Sequence, residues 1–298
     1  MTAKIIDGRV IAGEIKAEVR KGAEVLKREC GVVPGLAFIL VGENPASEVY
    51  VRSKGKACEE MGFFSVTEKL PADTTEASLL TIIRGFNLDP RIHGLLVQLP
   101  IPGHISEQKV IESIEPAKDV DGFHPVNVGK LVIGEPCLRP CTPAGVQEML
   151  LRSGIDPAGK HVVVIGRSNI VGKPVANLLL QKQRGANAAV SVVHTGVPDL
   201  ERYVRDADIL IAAVGKAEMI RGSMLKPGCV VIDVGMNRIP DPTKKSGTRL
   251  VGDVHFASAS EGASAISPVP GGGGLMTIAM LMKKTLEAAT IASKSSFR

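Results

Sequence analysis

Residues 161–180 read HVVVIGRSNIVGKPVANLLL, and this stretch predicts a buried strand, a glycine turn and a helix. Gly166 would let the chain turn tightly at the end of the strand, and Gly172 would let a phosphate approach the start of the helix. Pro174 suits the first turn of that helix. The second glycine comes six residues after the first, so the pattern is not G-x-G-x-x-G. By itself the stretch fits a nucleotide site and a plain strand–helix turn equally well.

Similar apolar runs recur along the chain. Near-continuous runs of this kind are typical of parallel strands that are buried on both faces. They occur at residues 36–42, 92–100, 161–167, 190–195, 208–215 and 229–235. Amphipathic, helix-like stretches alternate with them, at residues 11–28, 45–61, 75–86 and 172–183. This alternation predicts an α/β fold whose parallel strands are joined by right-handed crossovers.

The length of the chain predicts two domains. Its 298 residues, 44% hydrophobic and 22% charged, suit a globular protein of that size. The proline-rich segment 115–145 reads as a loop-rich passage from one domain to the next. We expect one α/β domain in residues 1–146 and a second α/β domain, which holds the glycine turn, in residues 147–275. A final helix within residues 276–298 is expected to pack back on the first domain.

The composition argues against several kinds of site. Aromatic residues are only 3% of the chain, which disfavours base-stacking platforms for single-stranded nucleic acid. The net charge of +5 is mild and suits small anionic ligands as well as it suits nucleic acid. Five scattered cysteines without a C-x-x-C pair predict neither a zinc site nor a disulfide framework. We therefore expect no metal and no nucleic-acid partner.

The expected location is the reduced environment of the cytoplasm. The first residues lack a signal-peptide core, and Asp7 and Glu14 argue against an organellar transit peptide, although import by another route stays open. No apolar run approaches the roughly 18 residues of a membrane span, so no membrane partner is expected.

The strand after the glycine turn indicates which dinucleotide would bind. A fold that selects NAD ends this strand with an acidic residue that holds the ribose hydroxyls. Here the strand ends in His194 and Thr195, and no acidic residue occurs between Gly166 and Asp199. The same stretch carries the cations Arg167, Lys173, Lys182 and Arg184. Because a 2′-phosphate requires cations and no carboxylate, NADP is favoured over NAD.

Residues 50–61, YVRSKGKACEEM, place a lysine on the packed face of a predicted helix. At helical spacing the packed stripe consists of Tyr50, Lys54, Ala57, Cys58 and Met61. Lys54 could snorkel, with its stem packed and its ammonium at the rim. Alternatively it is a catalytic lysine beside an aromatic hydroxyl, and the helix alone does not decide between these explanations.

Two further polar positions lie where α/β folds form sites. Gln98 ends the apolar run 92–100, and ligands bind outside the carboxyl ends of such strands, although the residue could simply be a polar strand terminus. Asp119 and Asp121 follow in a predicted turn, where the default role is that of a solvated turn residue. A calcium loop is not supported, because further ligands do not follow at the required spacing.

Taken together, eight motifs resemble one family and stand in its usual order. They read YVRSKGKACEEMG, GLLVQLPIP, KDVDGFHPVNVGKL, PCTPAGV, VVVIGRSNIVGKPVANLLL, AVGK, VIDVGMN and PVPGGGGLMT. The family is that of the bifunctional methylenetetrahydrofolate dehydrogenase/cyclohydrolases, and the resemblance covers essentially the whole chain. It implies NADP-dependent oxidation of 5,10-methylenetetrahydrofolate and hydrolysis of the methenyl product to 10-formyltetrahydrofolate. It also implies that residues 1–146 form a catalytic, folate-binding α/β domain and residues 147–275 a Rossmann-like parallel-sheet domain that binds NADP, with a folate cleft between them. A homodimer is implied as well, and so are substrates that are tetrahydrofolate derivatives with or without a polyglutamate tail.

The resemblance also implies roles for individual residues. Tyr50 would pack against the aminobenzoyl ring, and Lys54 would be the central catalytic residue. Gln98 would orient Lys54, and Asp121 would hold the pterin ring. Further folate contacts are implied for Val97, Leu99, Pro270, Gly271, Gly272, Gly273 and Gly274. Cofactor contacts are implied for Gly166, Arg167, Ser168, Thr195 and Ile232.

One motif departs from the family pattern. The family reads P-G-G-V-G-P-M-T where this chain has Gly273 for the valine and Leu275 for the proline. Four consecutive glycines raise the entropy lost when the loop is ordered, and the missing proline removes pre-organisation at a helix start. Both changes put the rigidity of this loop, and with it the affinity for substrate, in doubt.

Two other functions stay open on architecture alone. One is an NADP-dependent two-domain dehydrogenase of another small molecule, such as an amino or hydroxy acid. The other is an NADP-sensing binding protein without turnover, which would have no need of Tyr50, Lys54, Gln98 and Asp121.

Overall fold

The computed structural model describes residues 3–244 and 246–295. Its strands are β1 (Lys4–Ile5), β2 (Gly35–Val41), β3 (Phe64–Leu70), β4 (Gly94–Val97), β5 (His161–Ile165), β6 (Ala189–Val193), β7 (Ile209–Ala212), β8 (Val230–Asp233), β9 (Asn237–Pro240), β10 (Thr248–Val251) and β11 (Ala265–Ile266). Its α-helices are α1 (Gly8–Cys30), α2 (Pro45–Met61), α3 (Glu76–Leu88), α4 (Glu107–Ser113), α5 (Pro125–Ile133), α6 (Cys141–Arg152), α7 (Gly172–Leu180), α8 (Leu200–Arg205), α9 (Phe256–Gly262) and α10 (Gly273–Ser295). None of the helices in these described ranges is long and apolar enough to cross a membrane.

The chain forms two compact units. Within the described residues, the three-stranded unit contains 13–141 and 278–295, and the six-stranded unit contains 3–12 and 142–277. The sequence predicts a first domain of residues 1–146, but residues 3–12 and 142–146 lie in the six-stranded unit. Residues 3–12 belong there because β1 pairs in parallel with β11, and a strand of two residues is too short to show a pattern in the sequence.

The three-stranded unit is built on a parallel sheet with the order β3-β2-β4. All seven residues of β2 are buried, which explains the apolar run that predicted this strand. The sequence did not predict β3, because this edge strand (FSVTEKL) is only partly buried and reads as a mixed segment. Residues 278–295 also belong to this unit, where the Met282 sulfur lies 3.9 Å from the Cys58 sulfur.

The six-stranded unit has a wholly parallel sheet with the order β1-β11-β8-β7-β5-β6. Val163, Leu210 and Val231, one from each of three neighbouring strands, are fully buried in one hydrophobic core. The strands β5 to β8 therefore end at one edge of the sheet, which is where ligands bind in folds of this class. An antiparallel hairpin of β9 and β10 accompanies the sheet.

The segment 115–145, which we expected to be loop-rich, contains the helix α5. His124 caps it by accepting a hydrogen bond from the Val126 amide at 3.1 Å, and Pro125 takes the first helical position. Gly134 ends it in the left-handed conformation, with φ of 79°. The helix was not expected because Pro125 and Gly134, which mark its two ends, read as loop residues in the sequence. The break between the two units does fall within this segment, after residue 141.

Candidate functional site

Lys54 is held inside the three-stranded unit rather than at its rim. The residue is only 8% exposed, and its Nζ donates a hydrogen bond of 3.0 Å to Oε1 of Gln98. The predicted packed stripe of α2 is confirmed for Lys54, Ala57, Cys58 and Met61, which are buried. It was wrong for Tyr50, which is 40% exposed. A snorkelling lysine would keep its ammonium in water, so the buried ammonium and its side-chain partner favour the functional explanation.

Gln98 is positioned by the sheet itself. It directly follows β4, and its backbone N–H continues the ladder by donating to Ile39 O at 2.8 Å. Its Nε2 donates to Leu99 O at 2.8 Å, which turns its Oε1 toward Lys54. The side chain is therefore held at both ends, and it fixes the position of the Lys54 ammonium.

Asp119 and Asp121 have different surroundings although they are two residues apart. Asp119 is 2% exposed, and its carboxylate accepts from Gly122 N, His124 N and Asn127 Nδ2 at 3.1, 2.8 and 3.0 Å. Asp119 thus fixes the turn. The Asp121 carboxylate accepts no hydrogen bond from the described residues. A carboxylate without a partner, on a turn that its neighbour holds rigid, is suited to bind a ligand that donates hydrogen bonds.

The electrostatics of the three-stranded unit bring Lys54 and Asp121 together. Burial raises the pKa of Asp121 to about 6, while the Lys54 charge lowers this pKa and the Asp119 charge raises it. Burial also raises the pKa of the Cys141 thiol, which is close to the same charges, so this thiol stays protonated. The result is an ammonium and a carboxylate in a poorly solvated environment, where each interaction is stronger than in water.

The remaining predicted folate residues of this unit lie around the same strand end. Val97, Leu99 and Asp121 line one narrow cavity together with apolar residues of α4. Tyr50 lies one helical turn before Lys54 and is 40% exposed, so its ring is accessible to a ligand. The structure therefore brings Lys54, Gln98 and Asp121 together and leaves Tyr50 as a more exposed neighbour.

The glycine turn of the six-stranded unit requires both of its glycines. A Cβ on Gly172 would lie 2.1 Å from the Gly166 carbonyl oxygen, and a Cβ on Gly166 would lie 2.1 Å from Ala213 O. Gly166 also has φ of 125°, which a residue with a side chain rarely adopts. Helix α7 thus begins in direct backbone contact with the end of β5. This close packing brings the start of the helix to the carboxyl edge of the sheet, where ligands bind in folds of this class.

The predicted cofactor residues are divided between this turn and the interior. Arg167, Ser168 and Thr195 are exposed at the carboxyl edge of the sheet, and Ser168 Oγ accepts from the amides of Val171 and Gly172 at 3.1 and 3.3 Å. Ile232 lies in the middle of β8 opposite Ile211 and is 1% exposed, so its side chain belongs to the core.

The glycine-rich loop of residues 270–274 leads into α10. Gly271 has φ of 118° and so depends on being glycine, whereas Gly273 has no positive φ and a Cβ there would meet its nearest atom at 4.0 Å. Of the predicted folate residues in this loop, Pro270 is exposed, Gly272 is buried, and the others are half-buried.

Sequence reasoning missed a pair of buried acids, Asp233 and Asp253. They are 3% and 0% exposed and lie at the carboxyl edge of the six-stranded sheet. Their motifs, VIDVG and VGDV, show an aspartate beside a glycine, which was the one available signal. Among the residues that the structure describes, no group of His, Cys, Asp and Glu is arranged to hold a metal ion.

Comparison with known proteins agrees with the motif series. A model described as the catalytic domain of tetrahydrofolate dehydrogenase/cyclohydrolase matches residues 6–121, and one described as the NAD(P)-binding domain of the same family matches residues 140–293. The bifunctional protein FolD of Syntrophobacter fumaroxidans is 55% identical over 294 residues, which are 99% of each chain. The crystal structure of FolD from Campylobacter jejuni has a TM-score of 0.91 at 46% identity and covers 97% of this chain and 99% of its own. The Trypanosoma brucei dehydrogenase-cyclohydrolase, solved with NADP and an inhibitor, has a TM-score of 0.91 at 40% identity and covers 100% of this chain and 99% of its own.

Proposed function

The chain belongs to the tetrahydrofolate dehydrogenase/cyclohydrolase family, and we propose that it catalyses both reactions of that name. The first oxidises 5,10-methylenetetrahydrofolate to the 5,10-methenyl compound with NADP⁺, and the second hydrolyses the methenyl compound to 10-formyltetrahydrofolate. The observation that carries this proposal is the buried Lys54 ammonium, bonded to Gln98 at 3.0 Å and close to the charge of Asp121.

In the dehydrogenase reaction, the task of the chain is orientation. Hydride leaves the methylene carbon, and the two folate nitrogens stabilise the cation that remains, so no proton needs to be moved. We assign Asp121 to the ring N–H and amino group of the pterin, and Tyr50 to the aminobenzoyl ring. Val97 and Leu99 provide the apolar wall. Orientation of this kind can contribute a large part of the rate enhancement.

In the cyclohydrolase reaction, protons must be moved. Water adds to the methenyl carbon, the bond from that carbon to N5 breaks, and one proton is released as the 10-formyl compound forms. We assign to Lys54 the holding and transfer of the proton at the attacking water and at N5. Gln98 keeps the Lys54 nitrogen in place through the bond at 3.0 Å.

The six-stranded unit fits NADP. When bound, the cofactor supplies the hydride acceptor. The tight turn that requires Gly166 and Gly172 brings the start of α7 to the carboxyl edge of the sheet, where we place the diphosphate. We assign Arg167, Ser168 and Thr195 to the phosphates, since all three are exposed at this edge. A position of Ile232 near the nicotinamide, and folate contacts of residues 270–274, stay predictions.

One assay tests the proposed function. Purified protein is mixed with 5,10-methylenetetrahydrofolate and NADP⁺, and the absorbance of the methenyl compound and of NADPH is followed. We expect NADPH to form and the methenyl compound to rise and then decay faster than without protein. Turnover of an amino or hydroxy acid with NADP⁺, and no effect of folate, would instead identify a dehydrogenase of another substrate.

The finer points of the proposal are supported by the family resemblance. We propose a homodimer, a cytoplasmic enzyme, and substrates that carry either one glutamate or several. Light scattering on the eluted protein measures the mass, and a monomer at assay concentration would refute the dimer.

Removal of the Arg167 guanidinium should narrow the preference for NADP⁺. Loss of a charge-assisted contact to the 2′-phosphate in Arg167→Ala should reduce kcat/KM for NADP⁺ by about 10- to 100-fold. The value for NAD⁺, which has no 2′-phosphate, should change little. Lys160→Ala is the matched control, since this exposed cation directly precedes β5 at the opposite, amino edge of the sheet and should have no effect on cofactor preference. Equal use of both cofactors by the unmutated protein would contradict the assignment.

Valine at position 273 should improve folate binding. Gly273 has no positive φ, and a Cβ there would meet its nearest atom at 4.0 Å, so valine fits this position without backbone strain. Gly273→Val should therefore reduce the number of conformations open to the loop before folate binds. We expect KM for methylenetetrahydrofolate to fall by about two- to fivefold, since such substitutions are worth about 0.4–1 kcal/mol. Gly271→Val is the opposite control, because its φ of 118° excludes valine and binding should be lost. A higher KM in Gly273→Val would refute the proposed role of this loop.

A further inference from the structure

The buried acids Asp233 and Asp253 have no part in the chemistry assigned above, yet they lie beside the proposed cofactor site. Asp233 ends β8, and Asp253 follows β10. The pKa of Asp233 is raised to about 6, chiefly by burial and also by the nearby Asp253 charge, while hydrogen bonds from three backbone amides oppose the shift. Two acids buried side by side weaken the fold unless their hydrogen bonds repay the cost of desolvation.

Asp253 holds two separate loops with one carboxylate. Its Oδ2 accepts from Val214 N at 2.5 Å and from Gly215 N at 2.9 Å, both in the loop that follows β7. Its Oδ1 accepts from Asn237 Nδ2 at 2.8 Å, at the start of β9. All of these donors stand at or just beyond the carboxyl ends of β7 and β8. The carboxylate therefore fixes the shape of the edge where a ligand of this fold binds.

Asp233 in turn holds Asp253. Its Oδ1 accepts from Asp253 N at 3.0 Å and from Gly235 N at 2.9 Å, and its Oδ2 accepts from Val254 N at 2.9 Å. The Asp233 carboxylate also packs directly against the backbone of Gly252, where a Cβ would lie 1.8 Å from Asp233 Oδ2. The backbone that carries Asp253 is thus fixed before its side chain reaches the other loops.

The loop held by Asp253 is in contact with the glycine turn. Ala213 directly precedes Val214, and its carbonyl oxygen is the atom that a Cβ on Gly166 would meet at 2.1 Å. A shift of the loop after β7 would therefore change the space around Gly166, where the diphosphate is proposed to bind. Because these hydrogen bonds order the loop before a ligand binds, little conformational entropy of the loop is lost on binding, and the affinity is higher.

We propose that Asp253 is a positioning residue for NADP⁺: it holds the loop after β7 against the glycine turn and does not itself touch the cofactor. This inference rests on the proposed function, since it takes NADP⁺ as the ligand of the six-stranded unit. It predicts a change in NADP⁺ affinity opposite to the one that charge alone predicts. Removal of a negative charge near an anionic cofactor should by Coulomb's law strengthen binding, whereas loss of a positioning residue should weaken it.

The test compares Asp253→Ala with the conservative Asp253→Asn. In Asp253→Ala we expect the dissociation constant of NADP⁺, measured by titration without folate, to rise about 10- to 100-fold. At saturating NADP⁺ the dehydrogenase kcat should change far less than KM, and hydrolysis of the methenyl compound should stay near normal. Asp253→Asn should keep NADP⁺ affinity within about threefold, because its oxygen can still accept from Val214 and Gly215 and the Asn237 amide can reverse its orientation.

Asp208→Asn is the matched control. Asp208 also accepts a hydrogen bond from a backbone amide, that of His161 at 2.9 Å, but at the amino end of β5. The Asp208→Asn variant should therefore bind NADP⁺ with unchanged affinity. If Asp253→Ala does not fold, as judged by circular dichroism and melting temperature, Asn237→Ala replaces it. This variant removes one donor to Asp253 and should weaken NADP⁺ binding by about threefold or more.

Unchanged or tighter NADP⁺ binding in a folded Asp253→Ala, or in Asn237→Ala where the first variant fails to fold, would overturn the inference. Equal loss in Asp253→Asn and Asp253→Ala would also overturn it, because the charge rather than the position would then matter. Failure of the proposed function looks different. The unmutated protein would then bind NADP⁺ without oxidising methylenetetrahydrofolate, and the dissociation constants of the variants could still be compared.

Discussion

Lys54→Met should lose cyclohydrolase activity by about 10²–10⁴-fold, the usual contribution of a positioned acid or base, while dehydrogenase activity stays measurable. Hydrolysis of the methenyl cation needs protons moved at the reacting carbon and at N5, whereas hydride transfer needs alignment alone. The variant should fold, because methionine has a stem of similar length and residue 54 is only 8% exposed on an apolar stripe. Dehydrogenase activity should decline moderately, since Lys54 also helps to place the folate.

The measurement supplies the methenyl compound directly and, separately, the methylene compound with NADP⁺. In the second experiment the methenyl compound should accumulate. Lys56→Met is the matched control, because it makes the same change two positions along α2 on the exposed face. Near-normal hydrolysis by Lys54→Met, after correction for the spontaneous rate, would leave Lys54 as a packed lysine without a catalytic role.

The sequence predicted those parts of the fold whose signal is local. The burial of β2 and the stripe of α2 follow from the identity of neighbouring residues, so periodicity was sufficient to find them. Edge strand β3 was missed because partial exposure on both faces removes the apolar run. Two-residue strand β1 was missed for lack of length, and its pairing with β11 joins residues more than 250 positions apart in the chain.

The candidate site was predictable to a different degree in each unit. The sequence predicted the local position of each residue: Lys54 on a helix stripe, Gln98 at a strand end and Asp121 in a turn. The motif series of the family supplied their roles. That Asp119 fixes the turn while Asp121 accepts no hydrogen bond from the described part of the chain could not be read from the sequence, since both stand in the same D-x-D turn. Asp253 was missed because its donor Val214 lies 39 positions away, and such a contact leaves no local pattern.

Asp121→Ala should impair both reactions together, because both need the same bound pterin. Loss of a carboxylate that accepts two hydrogen bonds from the ring should lower kcat/KM by about 10- to 100-fold in each reaction. The pH profile provides a second test. The Asp121 pKa is raised by burial to about 6, and the ionised form is the one that accepts from the ring N–H and the amino group.

As the pH falls below about 6, protonation of Asp121 removes this acceptor, and kcat/KM of the unmutated enzyme should fall in both reactions with the same inflection. In Asp121→Ala that shared inflection should disappear, leaving a lower and flatter profile on the acid side. The measurement is kcat/KM for each reaction between pH 5 and pH 8, with the spontaneous hydrolysis of the methenyl compound subtracted at every pH. A variant that loses one activity and keeps the other would show that Asp121 is not a shared anchor of the substrate. The Asp121 carboxylate would then act, beside Lys54, in only one of the two reactions, and the roles assigned to these two residues in binding and in proton transfer would have to change.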